Sequence, residues 1–276
     1  MCGRYASFRQ AQDIADTFAI EEVAPDLALL APSWNIAPTT TVRIVTERAD
    51  AETGEVRRAL RAARWGLVPS WAKDPSIGNR MINARAETIA EKPAFKKALA
   101  ARRCLVIADG YYEWQAATVG RAATVGRAAT AGRAAKQPFY IRPSDGSLLA
   151  MAGLYEFWRD RASAADAPWL VTTTIITTAA SGALAEIHDR RPVGLASEEW
   201  DPWLDPAVGA DEAARLLSGE GPEMIAEPVS TAVNRAGIGG PELIAPIGTR
   251  AVRPRGSGPA PSCRDPAVHV RAAAAG

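Results

Sequence analysis

The sequence predicts an α+β fold: a single compact domain with a barrel-like, mainly antiparallel β-sheet and peripheral helices. Three observations lead there. Short apolar runs recur along the chain, bounded by Gly, Pro, Asn and Asp, which is the pattern of strands closed by turns. A few segments with helix-start signals stand among them, and that mixture points to α+β. The chain has 276 residues, of which 47% are hydrophobic and 23% charged, enough to bury a sizeable core in one domain with or without tails.

Taken in order, Ser7 to Gln10 has the form of a capping box, and the apolar spacing continues a helix through Ala19. Residues 42–46 and 59–67 read as strands, and Pro93 opens a helix over 94–102, since proline suits a first helical turn. Residues 104–108 form a buried-type strand. Asp109-Gly110 then has the signature of a hairpin turn into a strand over 111–115. Further strands are expected at 139–142, 148–157 and 169–177. Helices are expected at 179–187, after Ser197, and at 211–217.

The domain is placed at residues 1–248. Within it, residues 116–136 hold a six-residue unit, AATVGR, AATVGR, AATAGR, too short for a solenoid and read as an expanded loop between two strands. Residues 249–276 are rich in Arg, Pro, Gly and Ala and read as a disordered basic tail.

No apolar run approaches the roughly 18–20 residues of a membrane span, and the amino terminus lacks signal-peptide regions. A cytoplasmic, nucleoid-associated monomer that does not meet the membrane is expected. Cys2, Cys104 and Cys263 are too scattered for a disulfide framework, and no CxxC pair exists, so neither a structural zinc nor any other cofactor is expected. The net charge of +1 hides an asymmetry: residues 57–103 carry twelve Lys/Arg against three acids. Such a block suits a polyanion surface; the alternative is a basic face neutralised by acids close in space.

Three residues can carry chemistry. If Met1 is removed, Cys2 presents an α-amine and a thiol on adjacent carbons. The amine, with a pKa near ~7.7–8.0, can attack an aldehyde to form a Schiff base, and the thiol can close on the imine carbon as a five-membered thiazolidine. The alternative is an ordinary small buried residue. His188 lies in Ile187-His-Asp-Arg-Arg-Pro192 and suits proton transfer near neutrality or a helix C-cap. Glu113 lies among aromatics in Tyr111-Tyr-Glu-Trp114. Facing inward it would have a raised pKa and serve as a general acid or base; facing outward it would be a surface residue. Trp65 and Trp71 flank Gly-Leu-Val-Pro-Ser and suit either base stacking or a core.

Together these segments resemble one family, the SRAP proteins (SOS response-associated peptidase, or abasic site processing protein). The resemblance is carried, in order, by Met1-Cys-Gly-Arg4, Trp34-Asn-Ile-Ala-Pro38, Trp65-Gly-Leu-Val-Pro-Ser-Trp71, Asn83-Ala-Arg-Ala-Glu87, Cys104 to Trp114, Ala152-Gly-Leu-Tyr155 and Ile187-His-Asp-Arg190. It implies crosslinking through Cys2 to abasic sites in single-stranded DNA, with associated AP-lyase chemistry. By similarity, Asn83 orients Cys2, His188 protonates the sugar ring oxygen, and Glu113 assists imine formation. Arg4, Pro38, Trp71, Arg85 and Arg190 are assigned to DNA contacts on the same ground. The family usually has Met where this chain has Arg191. An N-terminal-nucleophile peptidase acting on its own terminus, and a non-catalytic single-strand-binding module, are the competing readings.

Overall fold

The computed structural model describes residues 2–25, 27, 30–50, 52–116, 136–162, 164 and 166–248. The AATVGR repeats and the expected basic tail lie outside the described residues. In chain order the strands are β1 (Tyr5–Ser7), β2 (Glu22–Val23), β3 (Ser33–Ile36), β4 (Thr41–Ala49), β5 (Val56–Trp65), β6 (Asn83–Arg85), β7 (Arg103–Ala108), β8 (Gly110–Gln115), β9 (Gln137–Pro143), β10 (Leu149–Trp158), β11 (Leu170–Ala179), β12 (Arg190–Pro192) and β13 (Met224–Pro228). The α-helices are α1 (Ala11–Thr17), α2 (Pro93–Ala101), α3 (Gly182–Ala185), α4 (Ser197–Leu204) and α5 (Ala210–Leu216).

The strands form two sheets. One has the order β13-β9-β8-β1-β3; the other runs β12-β11-β10-β7-β4-β5-β2, with β6 beside β11. Most pairings are antiparallel, as expected. The larger sheet curls into a ring, bridged only by a short parallel contact of Thr172 with Arg64 and Thr173 with Trp65. It is therefore ring-like without being a closed barrel.

Side-chain alternation explains the layering. Along β7, Cys104, Val106 and Ala108 point into the core shared with the smaller sheet, whereas Leu105 and Ile107 point into the core under the helices. A strand buried on both faces reads as a continuous apolar run, which is how residues 104–108 stand in the sequence. The same period of two sends Ile44 and Trp65 to one core and Val45 and Leu60 to the other.

Three expectations are corrected. Ser7 does not cap a helix; it is buried in β1 opposite Ser33, and α1 starts at Ala11 with no side-chain cap at Gln10. Asp109-Gly110 is not a hairpin turn, because β7 and β8 belong to different sheets. The Asp109 carboxylate instead accepts from Phe8 N at 2.7 Å and Arg9 Nε at 3.1 Å, tying the exit of β1 to the corner where the chain changes sheets. Gly110 is required there, since a Cβ would lie 2.6 Å from the Ile141 carbonyl oxygen. Residues 179–187 are not one helix: β11 runs through Ala179 and only α3 is helical. The Thr-rich run in β11 favours a strand, where β-branched side chains pack well.

Candidate active site

The amino-terminal segment is fixed from both sides. Tyr5 pairs with Ile36 of β3 and with Tyr111 of β8, and Tyr112 N donates to the Arg4 carbonyl at 2.9 Å. The Arg4 guanidinium donates to Asn35 Oδ1 at 2.7 Å and to the Val233 carbonyl at 3.1 Å. Asn35 in turn donates through Nδ2 to the carbonyls of Arg235 and Ile238, at 3.0 and 2.8 Å. This pinning places Cys2 in the core between the sheets, 0% exposed. Burial, and then the Glu113 carboxylate, push its thiol pKa well above the ordinary value.

Asn83 Nδ2 donates to the Cys2 carbonyl at 2.8 Å. Asn83 opens β6, which runs parallel to β11 with Asn83 opposite Ile175. The Trp65–Trp71 segment sets that position. The Trp65 indole donates to the Ile82 carbonyl at 2.8 Å, and Leu67 N bonds the Met81 carbonyl at 3.1 Å. Gly66 and Gly78 approach so closely that a Cβ on Gly66, which has φ +130°, would lie 2.6 Å from Gly78 O. Trp65 is thus a core residue, while Trp71 is half exposed.

Glu113 shares the inward face of β8 with Tyr111 and is 3% exposed. Burial, assisted by Asp189, raises its pKa from 4.5 to about 7, against the pull of the positive amino terminus. Its Oε2 lies 3.9 Å from His188 Nε2. His188 is less buried, with its pKa lowered chiefly by desolvation and then by the amino-terminal charge. Its Nδ1 accepts from Arg190 N at 3.0 Å and lies 2.8 Å from Asp189 Oδ1. The backbone N–H needs a bare Nδ1 and the carboxylate needs a protonated one, so the two contacts belong to different protonation states.

The structure thus brings Cys2, Asn83, Glu113 and His188 together. The expected DNA-contact residues are distributed differently. Arg85 ends β6 on the surface, opposite Thr177. Arg190 pairs with Ala179, so both arginines stand at the carboxyl end of β11. The Arg190 guanidinium is engaged by Glu87, at 2.6 and 2.9 Å, and by the Thr177 carbonyl at 2.6 Å. Arg4 points to Asn35. Pro38 is partly exposed, one residue before Thr39, whose N–H bonds the Trp65 carbonyl at 2.8 Å. Trp71 adjoins Ala72, which packs with Val68 and Trp158, toward the other end of β11. Arg191 lines a small cavity with Tyr111, Leu149 and Met224.

Part of the basic block is engaged within the fold. Arg58 is held by Glu47 and Asp201, Arg61 by Glu22, Arg102 by Glu156, and Arg103 donates to the Trp203 and Leu99 carbonyls. Lys73, Arg80, Arg85, Lys92, Lys96 and Lys97 remain exposed. Asn35 and Glu87 went unassigned in the sequence, although both lie inside quoted motifs, because their partners (Arg4, Arg235 and Ile238 for the one, Arg190 for the other) are distant along the chain. Among the described residues no group of three His, Cys, Asp or Glu is placed to hold a metal ion, and no helix is long and apolar enough to cross a membrane.

The sequence pattern described as SOS response associated peptidase (SRAP) matches residues 1–236. The chain belongs to the SRAP family. Among its relatives, the abasic site processing protein YoqW of Bacillus subtilis is 37% identical over 88% of this chain and 99% of its own length. The abasic site processing protein HMCES of Gallus gallus is 33% identical over 78% of this chain and 66% of its own. A solved structure from Bacteroides thetaiotaomicron shares the fold, with a TM-score of 0.71 at 24% identity over 89% of this chain and all of that one. A phage-related protein from Bordetella bronchiseptica superposes with a TM-score of 0.57 at 31% identity, covering 83% of this chain and 94% of its own.

Proposed function

We propose that this protein processes abasic sites by bonding covalently, through Cys2 freed of Met1, to the aldehyde of the lesion in single-stranded DNA. The observation that carries the reading is the convergence of Cys2, Asn83, Glu113 and His188 at one place in the fold, taken with relatives named abasic site processing proteins.

The order of steps follows from the electrostatics. Burial keeps the Cys2 thiol protonated, so the α-amine attacks first. His188 donates a hydrogen bond from Nε2 to the sugar ring oxygen, which gains a proton as the anomeric hydroxyl gives one up, and the ring opens to the aldehyde. The amine adds to the carbonyl carbon, the carbinolamine loses water, and an imine remains. Glu113, with a pKa of about 7, can take and return a proton near neutrality. The thiol then adds across the imine: sulfur bonds to carbon, its proton goes to nitrogen, and the thiazolidine closes with one water released overall. The buried Asn83 Oδ1 has no partner among the described residues and can accept from the amine while Nδ2 holds the Cys2 carbonyl. Holding both nucleophiles beside the aldehyde supplies proximity, worth roughly 7–11 kcal/mol in well-oriented cases. Proton abstraction from the imine would give the associated AP-lyase cleavage. A peptidase with Cys2 as thiolate nucleophile is disfavoured, because burial opposes thiolate formation.

Mature protein mixed with an abasic oligonucleotide should give a species that survives denaturing electrophoresis. Cys2→Ser should be trapped by borohydride as an imine but leave no stable adduct. A native protein that gives no such species, or a serine adduct as durable as the cysteine one, would refute the reading.

A further inference from the structure

Glu87 lies far from Cys2 in the sequence and does not touch Glu113 or His188. Its carboxylate nevertheless gathers the elements that carry the histidine. It receives both terminal nitrogens of Arg190, at 2.6 and 2.9 Å. Ala179 and Arg190 are register partners across β11 and β12, so the carboxylate holds β12 at the end of that strand pair. The Arg190 side chain adds bonds to the Thr177 carbonyl at 2.6 Å and hydroxyl at 3.3 Å. With the side chain anchored, the backbone N–H of Arg190 stands 3.0 Å from His188 Nδ1.

That N–H competes with Asp189 for the same nitrogen. Asp189 Oδ1 lies 2.8 Å from Nδ1, on a side chain that is 85% exposed. An exposed carboxylate is solvated and loses side-chain entropy when held, whereas the Arg190 N–H is fixed by strand geometry. With Nδ1 accepting, the neutral ring carries its proton on Nε2, the atom 3.9 Å from Glu113. With Nδ1 bound to Asp189, the neutral ring leaves Nε2 bare.

We propose that Glu87 is a positioning residue: through Arg190 it holds His188 as the Nε2–H tautomer, with its proton toward Glu113 and the Cys2 pocket. This rests on His188 donating a hydrogen bond from Nε2 to the sugar ring oxygen in the proposed reaction. Glu87 remains ionised throughout the working range, since the Arg190 hydrogen bonds hold its pKa at about 2. The charges facing His188 are Glu113, Asp189, Arg190, Lys136 and the amino terminus; Glu87 acts on the ring only through the Arg190 backbone.

The test is nitrogen-15 NMR of the histidine ring above its pKa. The chain has two histidines, His188 and His269, so a His269→Ala variant assigns the signals. The full-length native protein should show a pyridine-like Nδ1 and a pyrrole-like Nε2. Glu87→Ala should shift both signals toward the opposite tautomer, and Glu87→Gln, which keeps one acceptor oxygen and the side-chain shape, should restore most of the native pattern. The crosslinking rate of Glu87→Ala should fall roughly tenfold to a hundredfold, the scale of a misplaced reacting group. Affinity for an oligonucleotide carrying an unreactive tetrahydrofuran lesion should stay within about twofold, because no base or phosphate contact is removed. Native tautomer shifts in both variants would overturn the proposal, as would tighter DNA binding by Glu87→Ala with an unchanged ring, which would make Glu87 a mask over Arg190. If the native protein formed no crosslink, the proposed reaction would fall, and the imidazole shifts alone would still confirm or overturn the placement.

Discussion

Replacing Glu113 by Gln removes an ionisable group from the core while keeping its shape. Moving a carboxyl pKa from 4.5 to about 7 corresponds to about 3 kcal/mol at ~1.4 kcal/mol per tenfold. The sign follows from linkage. A carboxyl whose folded pKa is raised binds its proton more tightly in the native state. It therefore favours folding below pH 4.5, and that contribution is lost as pH rises through 7. The Gln variant should melt near the wild type at pH 4 and above it at pH 8, by at most roughly 6–12 °C on the scale of ~2–4 °C per kcal/mol for a large domain. The assay is a thermal melt of both proteins from pH 4 to 9, beside the rate of crosslinking to an abasic oligonucleotide. The wild-type rate should change slope near pH 7, and the variant should be slower and lack that inflection. Melting curves that stay parallel at every pH would show that Glu113 is not a strained, buried acid.

Four further outcomes follow from the same geometry. Asn83→Ala, which loses the bond to the Cys2 carbonyl, should slow crosslinking about a hundredfold while stability changes by about 1 kcal/mol; a rate within twofold of wild type refutes its orienting role. Arg4→Ala should destabilise by roughly 1–3 kcal/mol because buried acceptors on Asn35 and Val233 lose their donor, and denaturant melts should register this without a change in the salt dependence of DNA binding. Arg85→Ala should do the reverse, weakening single-strand binding and lowering its salt slope by about 1, with an unaltered slope removing Arg85 from the interface. Gly66→Ala puts a methyl against Gly78 O and forces an unfavourable φ, so it should destabilise by more than about 1 kcal/mol; an unchanged melt would mean the two loops separate freely.

Much of the chain's structure was legible locally. Short apolar runs marked β4, β5, β7, β10 and β11, and Pro93 marked the start of α2, because apolar patterning and backbone restriction are properties of adjacent residues. The chemical identities at Cys2, Glu113 and His188 were also visible, since only certain side chains offer those nucleophiles and proton carriers. What alternation along one strand could not decide was the direction Glu113 faces. That depended on β8 joining β1 and β9 rather than folding back on β7, and an Asp-Gly pair looks the same at a hairpin and at a corner between sheets. How much of the charge of residues 57–103 stays unpaired was hidden for a related reason: Glu22, Asp201 and Glu156, which neutralise part of it, come from outside that stretch. The bonds of Arg4 to Asn35 and of Arg190 to Glu87 were likewise not legible in the sequence. Local chemistry named the candidate groups, and long-range packing chose which of them are buried, paired and brought within reach of one another, because burial and partnership belong to the assembled sheet and not to the sequence neighbourhood.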